Sequence, residues 1–382
     1  MVGSADPDGQ RRPANVDGPK VWGQFARRGR CHHGGVTTAP PFGAPAHDSL
    51  ASWSTATLAD LGPVQIPGPA DDPPHGWFEQ VSGRGVFVRR TEPVDDETAP
   101  DAWYVHGLAG SSTNWTSLSG AMAATATGHL VDLPGHGRSD PPPRGRYSLR
   151  DDADVLAELV ARRSRGPVHL VGNSLGGVVS TMMAGRYPEL VKTLTLISPA
   201  VPDLRLTHDR GADPILGLLL LPGTTGLALR RLVGISPLAR ARGMGELCFG
   251  DPTVLTDHDY EVAAADLAWR SSLPWAHRST IESLRALMRS YLPGGRSFRA
   301  DAACVTVPTL VIWGTRDRLV DVRLARRTAE CFADSRLLVI AGVGHTAQME
   351  APLVTARAVS GLWATSGAPH PGLTPAVGTS ET

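Results

Sequence analysis

Lysine is almost absent from this 382-residue chain, in which Lys20 and Lys192 are the only lysines among 37 basic residues. The basic residues are balanced by 37 acidic ones, so the formal net charge is zero. A chain with no excess of positive charge gives no electrostatic reason to bind a nucleic acid or an anionic membrane surface. We therefore expect no nucleic-acid partner, and we interpret the shortage of lysine as an effect of genome base composition.

Cysteines and long apolar runs are also scarce. The four cysteines, Cys31, Cys248, Cys304 and Cys331, lie far apart and form no CxxC pair. His32 and His33 follow Cys31, but adjacent ligands without a second spaced pair do not indicate a metal site. We expect no metal site and no disulfide scaffold, and a reducing, cytoplasmic environment is the default expectation. The most apolar run, residues 214–222, is bounded by prolines and too short to span a bilayer, so stable membrane insertion is not expected.

The middle of the chain alternates between two hydrophobic patterns. Short apolar runs occur at residues 85–90, 102–107, 129–135, 167–172, 191–198, 309–314 and 336–342. Helical patterns separate many of them, including 148–163 after a serine cap and 174–188 before a proline. Continuous apolar strands that alternate with helices predict an α/β fold, with a mostly parallel sheet covered on both faces.

This alternation fails at three places, which set the expected domain boundaries. Residues 1–75 are rich in Pro, Gly, Ala and Asp and are expected to be a disordered extension, as are residues 366–382. Helical patterns without strands between about 203 and 300 predict a helical cap inserted between two parts of the core, 76–202 and 301–365. An apolar stretch in this cap could line an acyl-binding pocket, although packing against the core is the simpler interpretation.

The sequence Gly172-Asn173-Ser174-Leu175-Gly176 lies between a predicted strand and a predicted helix. A sharp strand-to-helix turn brings backbone atoms close together, so a Cβ atom at either glycine position would clash. Such a turn exposes the serine hydroxyl at the carboxyl end of the sheet and beside a helix N-terminus. We therefore predict that Ser174 is a nucleophile.

A serine hydroxyl needs a base to accept its proton, and that base needs an acceptor to fix its tautomer. His345 follows a predicted strand and a short segment whose glycines, Gly342 and Gly344, permit a tight loop, so it is the predicted base. Asp317 follows another strand end and precedes His345, which makes it the favoured acceptor; Asp321 and Asp203 are alternatives. His136, in a PGHG sequence, is expected to shape a loop.

A glycine-rich segment, His106-Gly107-Leu108-Ala109-Gly110, follows the strand that ends near residue 107. Tetrahedral intermediates need hydrogen-bond donors for their oxyanion, and main-chain N–H groups commonly supply them. We predict that the N–H groups of Leu108 and Leu175 form an oxyanion hole. His106, Gly107, Gly172 and Gly176 are then expected to support the two turns.

Five motifs in this order resemble those of the α/β-hydrolase superfamily, over about residues 78–365. They are YVHGLAGSSTNW, HLVDLPGHGRSD, VHLVGNSLGG, LVIWGTRDRLV and AGVGHTAQME. The resemblance implies an eight-stranded, mostly parallel sheet flanked by helices, a triad of Ser174, Asp317 and His345, and a helical cap after the sixth strand. The residue pattern itself gives seven clear strands, and residues 77–85 are the candidate for the eighth.

A serine nucleophile limits the reactions that the protein is expected to catalyse. Related sequences with aspartate at this position open epoxides or alkyl halides through an alkyl-enzyme ester, whereas a serine ether could not be hydrolysed. We therefore expect a cofactor-free hydrolase that cleaves small to medium, partly apolar carboxylic esters. A thioesterase, a C–C bond hydrolase with a similar GNSLGG sequence, and a non-catalytic ligand-binding member of the fold remain alternatives. The acyl and alcohol groups and the oligomeric state cannot be predicted.

Overall fold

The apolar runs form one eight-stranded sheet in the computed structural model, which describes residues 50–64, 66–67, 75–91, 99–202, 234–292 and 297–366. The strands are β1 (Trp77–Val81), β2 (Arg84–Arg90), β3 (Asp101–Val105), β4 (Thr127–Val131), β5 (Val168–Asn173), β6 (Val191–Ile197), β7 (Thr309–Gly314) and β8 (Ser335–Ile340). Their order across the sheet is β1-β2-β4-β3-β5-β6-β7-β8. The first strand lies in the stretch proposed as the eighth, so the predicted fold class and strand count are confirmed.

Helices connect the strands and cover the sheet. They are α1 (Thr116–Ala121), α2 (Leu149–Arg163), α3 (Leu175–Arg186), α4 (Pro237–Cys248), α5 (Asp257–Ser271), α6 (Ala276–Ser290), α7 (Phe298–Ala302), α8 (Leu324–Ala329), α9 (Ala347–Glu350) and α10 (Pro352–Thr365). The predicted serine cap is present, because the Ser148 hydroxyl accepts a hydrogen bond from the N–H of Asp151. Such caps satisfy N–H groups that have no partner inside the helix.

The sheet is mostly parallel, and its parallel strands are the most deeply buried. Strands β1 and β2 pair antiparallel with each other, as do β2 and β4, while every other neighbouring pair is parallel. All residues of β4, β5 and β7 are buried, as expected for strands covered on both faces. Because parallel strands end at the same edge, the loops after β3, β5, β7 and β8 meet there.

The chain between β6 and β7, residues 198–308, is called the β6–β7 connection below. Its described part, which begins again at residue 234, contains the helices α4 to α7 and no strand. Helices without strands are what the sequence pattern predicts for this region. The boundaries 203–300 of the expected cap remain a prediction, since the apolar run at 214–222 and Asp203 lie outside the described residues.

Residues 50–59 differ from the predicted disordered extension, because they pack along the edge strand β8. The N–H groups of Thr55 and Ala56 donate to the carbonyl of Leu337, at 2.7 and 3.0 Å. The Ser54 hydroxyl accepts from the N–H of Val339 at 2.9 Å, and the Leu50 side chain is buried. These bonds cover part of an exposed sheet edge. The rest of the predicted extension up to residue 49, and the predicted tail from residue 367, lie outside the described residues.

Two further expectations concern the cysteines and the membrane. Cys248 and Cys331 have free thiols, whereas Cys304 is disulfide-bonded, a pairing that the spacing of the cysteines did not predict. Across the described ranges, each helix is either too short or too polar to cross a bilayer.

His169 on β5 provides a test of the buried sheet. Its ring stacks on Trp363 with centroids 4.1 Å apart, and its Nδ1 lies 2.8 Å from the Thr193 hydroxyl. Burial, with a contribution from Lys192, lowers the pKa of His169 to about 3. In the unfolded chain this histidine has its ordinary pKa of 6.5. Below that pH the unfolded chain binds one proton more than the folded chain, which favours unfolding.

We predict that the wild-type protein loses stability relative to His169→Gln as the pH falls from 6.5 towards 4. The free energy of unfolding should change by up to about 1.4 kcal/mol per pH unit, which corresponds to one proton. Urea unfolding at a series of pH values measures this difference. The matched control is His75→Gln, because His75 is exposed to solvent. Parallel pH curves for the wild type and His169→Gln would contradict the prediction.

Candidate active site

Ser174 lies in a tight turn between β5 and α3, with φ of 53° and ψ of −119°. A Cβ atom on Gly172 would lie 2.5 Å from the Ser180 hydroxyl. One on Gly176 would lie 2.2 Å from the carbonyl oxygen of Val105. Contacts this short are not tolerated, so both positions require glycine for the steric reason that the sequence suggested.

His345 and Asp317 form a direct hydrogen bond between His345 Nδ1 and Asp317 Oδ2, at 2.9 Å. Both side chains are buried, the Asp317 carboxylate completely. The other carboxylate oxygen of Asp317 accepts the N–H groups of Leu319 and Val320, each at 2.9 Å. These bonds fix the carboxylate, and a neutral His345 that donates from Nδ1 keeps Nε2 available to accept a proton.

The buried Asn173 amide joins the segment of Ser174 to the segment of His345. Its Nδ2 donates to the main-chain oxygen of Ile197 at 3.0 Å and to that of His345 at 3.2 Å. Gly107 approaches from the third side, because a Cβ atom built on it would lie 3.0 Å from the Ser174 Cβ. The structure therefore brings the serine turn, the histidine loop and the loop after β3 together at one sheet edge.

Asp321 and His136 have other partners in the structure. The Asp321 carboxylate accepts both the main-chain N–H and the Nε of Arg323, at 2.9 Å each, so it serves its own turn. His136 lies next to His106 with ring centroids 5.5 Å apart. Burial, together with the neighbouring His106, lowers the pKa of His136 to about 3. A buried neutral imidazole of this kind fits the loop-shaping role that the sequence suggested.

The oxyanion turn, defined here as residues 107–110, is a β-turn in which the N–H of Gly110 donates to the carbonyl of Gly107 at 3.0 Å. Ala109 occupies the third position with φ of 58°, which is uncommon for a residue with a side chain. The N–H groups of Leu108 and Leu175 have no partner within the described part of the chain. Both groups are consequently free to bind an external acceptor.

The His106 ring supports this turn from the sheet side. Its Nδ1 lies 2.7 Å from the Gly107 oxygen, and its Nε2 accepts the N–H of Leu133 at 3.0 Å. Because Nε2 accepts, a neutral ring must carry its proton on Nδ1 and donate it to Gly107. Burial lowers the pKa of His106 to about 4, which keeps the ring in this neutral form.

Glu350 is a site residue that the sequence did not reveal. One carboxylate oxygen accepts the N–H groups of Gly344 and Gly250, at 2.8 and 2.9 Å. The other oxygen accepts the N–H of Asp251 at 2.9 Å. Glu350 thereby fastens the loop before His345 to the segment after α4. It follows His345 within one motif, but no sequence signal indicates that its partners lie so far away along the chain.

Cys248, at the end of α4, lies against the same loop. Its main-chain oxygen accepts the N–H of His345 at 2.7 Å. Burial, reinforced by the charge of Asp317, raises the pKa of its thiol to about 12. Since the thiolate is the reactive form of cysteine, the Cys248 thiol is kept in its unreactive form.

Comparison with known proteins identifies the family. The model of the alpha/beta hydrolase family matches residues 104–358, which span β3 to α10. The chain belongs to the alpha/beta hydrolase family. This alpha/beta hydrolase is 30% identical, over 300 residues, to the dihydrolipoyllysine-residue acetyltransferase component of the acetoin cleaving system of Pseudomonas putida. That match covers 77% of this chain and 69% of the relative.

Two other similarities are more distant. The hydrolase is 23% identical to the monoacylglycerol lipase ABHD6 of Bos taurus over 270 residues, which is 68% of this chain and 73% of the relative. Its structure resembles that of a haloalkane dehalogenase DbeA variant from Bradyrhizobium elkanii, with a TM-score of 0.62 and 22% identity. This likeness covers 77% of the hydrolase and 99% of the dehalogenase and establishes the fold alone.

We predict that Glu350→Gln lowers the free energy of unfolding by about 2 kcal/mol. The amide has one acceptor oxygen in place of two and turns an NH₂ group towards N–H donors, so at least one of the three donors loses its partner and the charge of the acceptor is lost. Urea unfolding measures the change. The matched control is Glu330→Gln, because Glu330 is 56% exposed and pairs with Arg326, one helical turn away. Equal effects of the two substitutions would show that Glu350 does not hold the loop.

Proposed function

We propose that this protein is a serine hydrolase that cleaves small to medium, partly apolar carboxylic esters through an acyl-enzyme on Ser174. The observation that carries the proposal is the 2.9 Å bond between His345 and a fully buried Asp317, at the sheet edge where the Ser174 turn lies. A base held by a buried carboxylate beside a serine in a strained turn is the arrangement that nucleophilic catalysis requires.

In the first half of the proposed reaction, Ser174 Oγ attacks the carbonyl carbon of the ester, and its proton moves to Nε2 of His345. Asp317 accepts the hydrogen bond from Nδ1 and stabilises the imidazolium that forms. The carbonyl oxygen becomes an oxyanion, to which Leu108 and Leu175 donate their N–H groups. The bond to the alcohol oxygen then breaks, and His345 returns the proton to that oxygen.

In the second half, water attacks the carbonyl carbon of the acyl-serine and gives its proton to Nε2 of His345. The tetrahedral intermediate uses the same two main-chain donors. Its collapse breaks the bond to Ser174 Oγ, which recovers the proton from His345, and a carboxylic acid leaves. Every proton is therefore accounted for by one histidine, the serine and the water that is consumed.

Two considerations favour esters over the other reactions of this fold. An acyl-serine can be hydrolysed, whereas the serine ether that an alkyl halide would give cannot, despite the structural likeness to a dehalogenase. The names of both relatives, a monoacylglycerol lipase and an acetyltransferase component, concern acyl groups. The GNSLGG resemblance to C–C hydrolases carries less weight, because the Asn173 side chain is bound to the main chain of Ile197 and His345.

We predict that Ser174→Ala and His345→Gln each reduce kcat for p-nitrophenyl esters by about 10⁴-fold or more, and that Asp317→Asn has an effect of similar size. A series of acyl chain lengths, with the matching thioesters, identifies the favoured substrate in the same assay. Asp321→Asn is the matched control for Asp317→Asn, since this carboxylate binds Arg323 instead of His345; its kcat should stay within about twofold of the wild type.

A fluorophosphonate probe provides an independent readout, because it labels activated serines without any choice of substrate. We expect labelling of the wild type and none of Ser174→Ala. Equal labelling of both proteins, or ester hydrolysis at background level over the whole series, would overturn the proposed function.

A further inference from the structure

Arg270, in the last turn of α5, reaches from the β6–β7 connection to the oxyanion turn. Its Nη1 donates to the main-chain oxygen of Ala109 at 2.8 Å and lies 3.4 Å from that of Gly110. Its Nε lies 2.9 Å from a carboxylate oxygen of Asp266, one helical turn earlier. The side chain is 17% exposed, so its charge is largely removed from water. A mostly buried guanidinium held this way has a fixed position.

The contact with Ala109 continues, peptide by peptide, to the predicted oxyanion donor. The Ala109 carbonyl shares a peptide unit with the N–H of Gly110, and that N–H donates to the Gly107 carbonyl at 3.0 Å. The Gly107 carbonyl in turn shares a peptide unit with the N–H of Leu108. In a trans peptide the C=O and N–H bonds point in opposite directions, so these groups form one head-to-tail chain.

Such a chain has two physical effects. It fixes the plane of the Gly107–Leu108 peptide, and therefore the direction of the Leu108 N–H bond. It also polarises that bond, because hydrogen bonds arranged in series strengthen one another and the first donor here carries a full charge. The Ala109 backbone needs such support, since its φ of 58° is unfavourable for a residue with a Cβ atom.

The other group that binds this turn carries no charge. His106 donates to the same Gly107 carbonyl, but burial holds its pKa near 4, and Arg270 contributes to that lowering. The turn is therefore held by a neutral imidazole from the sheet and by a cation from α5. Arg270 supplies the positive charge of the pair.

We propose that Arg270 is a positioning residue for ester hydrolysis, which aligns and polarises the Gly107–Leu108 peptide so that Leu108 N–H stabilises the tetrahedral oxyanion. This inference rests on the proposed function. It also makes α5 a structural part of the oxyanion site, in addition to any role in covering the substrate.

We predict that Arg270→Met lowers kcat for p-nitrophenyl acetate by about tenfold, while KM changes by less than about threefold. The complete loss of one oxyanion donor costs about 10²–10³-fold, and a misaligned donor should cost part of that. Arg270→Lys keeps a cation that can reach one carbonyl, so it should recover part of the loss. Initial-rate kinetics on proteins with matched circular dichroism spectra measure these effects.

A pair of ketone inhibitors distinguishes alignment of the oxyanion donor from a general loss of structure. An alkyl trifluoromethyl ketone adds to the serine and forms a tetrahedral oxyanion, whereas the matching methyl ketone stays trigonal. Arg270→Met should weaken binding of the trifluoromethyl ketone by the same factor by which it lowers kcat/KM. The affinity for the methyl ketone should stay nearly unchanged. Arg242→Met is the matched control, because Arg242 pairs with Asp257 within the same connection and is half exposed; both inhibitors should bind it as they bind the wild type.

Unchanged kcat in Arg270→Met, a rise in KM alone, or equal weakening of both ketones would overturn the inference. If Arg270→Met does not fold, Arg270→Lys and Arg270→Gln are compared instead. The lysine variant should have the higher kcat and the higher affinity for the trifluoromethyl ketone, and equal values would overturn the inference. These outcomes differ from failure of the proposed function. If Ser174→Ala abolishes ester hydrolysis and Arg270→Met leaves it unchanged, only the role of Arg270 is refuted.

Discussion

The active-site arrangement depends on one strained residue, because Ser174 is held at φ of 53° and ψ of −119°. A non-glycine residue in such a sparsely populated conformation costs about 1–3 kcal/mol and persists only when its surroundings enforce it. The surroundings do so here through main-chain bonds. The Ser174 N–H donates to Ile197, and the Ser174 carbonyl accepts the N–H groups of Gly177 and Ala200. The strain places the hydroxyl at the sheet edge, where a relaxed turn would not hold it.

The remaining parts of the site are held by contacts that cross the sheet edge. Asn173 joins the serine turn to the histidine loop, and Glu350 joins that loop to the segment after α4. Arg270 joins α5 to the oxyanion turn. The β6–β7 connection therefore contacts both the histidine loop and the oxyanion turn. Its helices pack against the residues that would perform the chemistry, so a change in the connection should affect turnover as well as substrate choice.

The sequence predicts the components whose signals are local. The glycines around Ser174 indicate a tight turn in which backbone segments approach closely. The strand ends before Asp317 and His345 place these two residues at the same edge of a parallel sheet. The structure contains these strands, has no room for a Cβ atom at either glycine, and places a hydrogen bond between Asp317 and His345. Local patterns suffice here because strand, turn and helix follow one another directly in the chain.

The parts that could not be predicted depend on residues distant in sequence. Glu350 binds Gly250 and Asp251, and Arg270 binds Ala109, and no spacing in the sequence marks such pairs. The composition of residues 50–59 predicted disorder, but this segment forms hydrogen bonds with the edge strand β8. An edge strand has unpaired main-chain N–H and C=O groups, which can bind a segment of almost any composition. Amino-acid composition therefore does not predict this pairing.

Trapping the acyl-enzyme intermediate tests whether Ser174 carries the acyl group during turnover. The protein is mixed with p-nitrophenyl acetate, quenched in acid within a single turnover, and digested for peptide mass mapping. We expect one acetyl group on the peptide that contains Ser174, formed as fast as p-nitrophenol is released and absent from Ser174→Ala. Turnover without that adduct, or an acetyl group on another residue that forms at the rate of turnover, would contradict it.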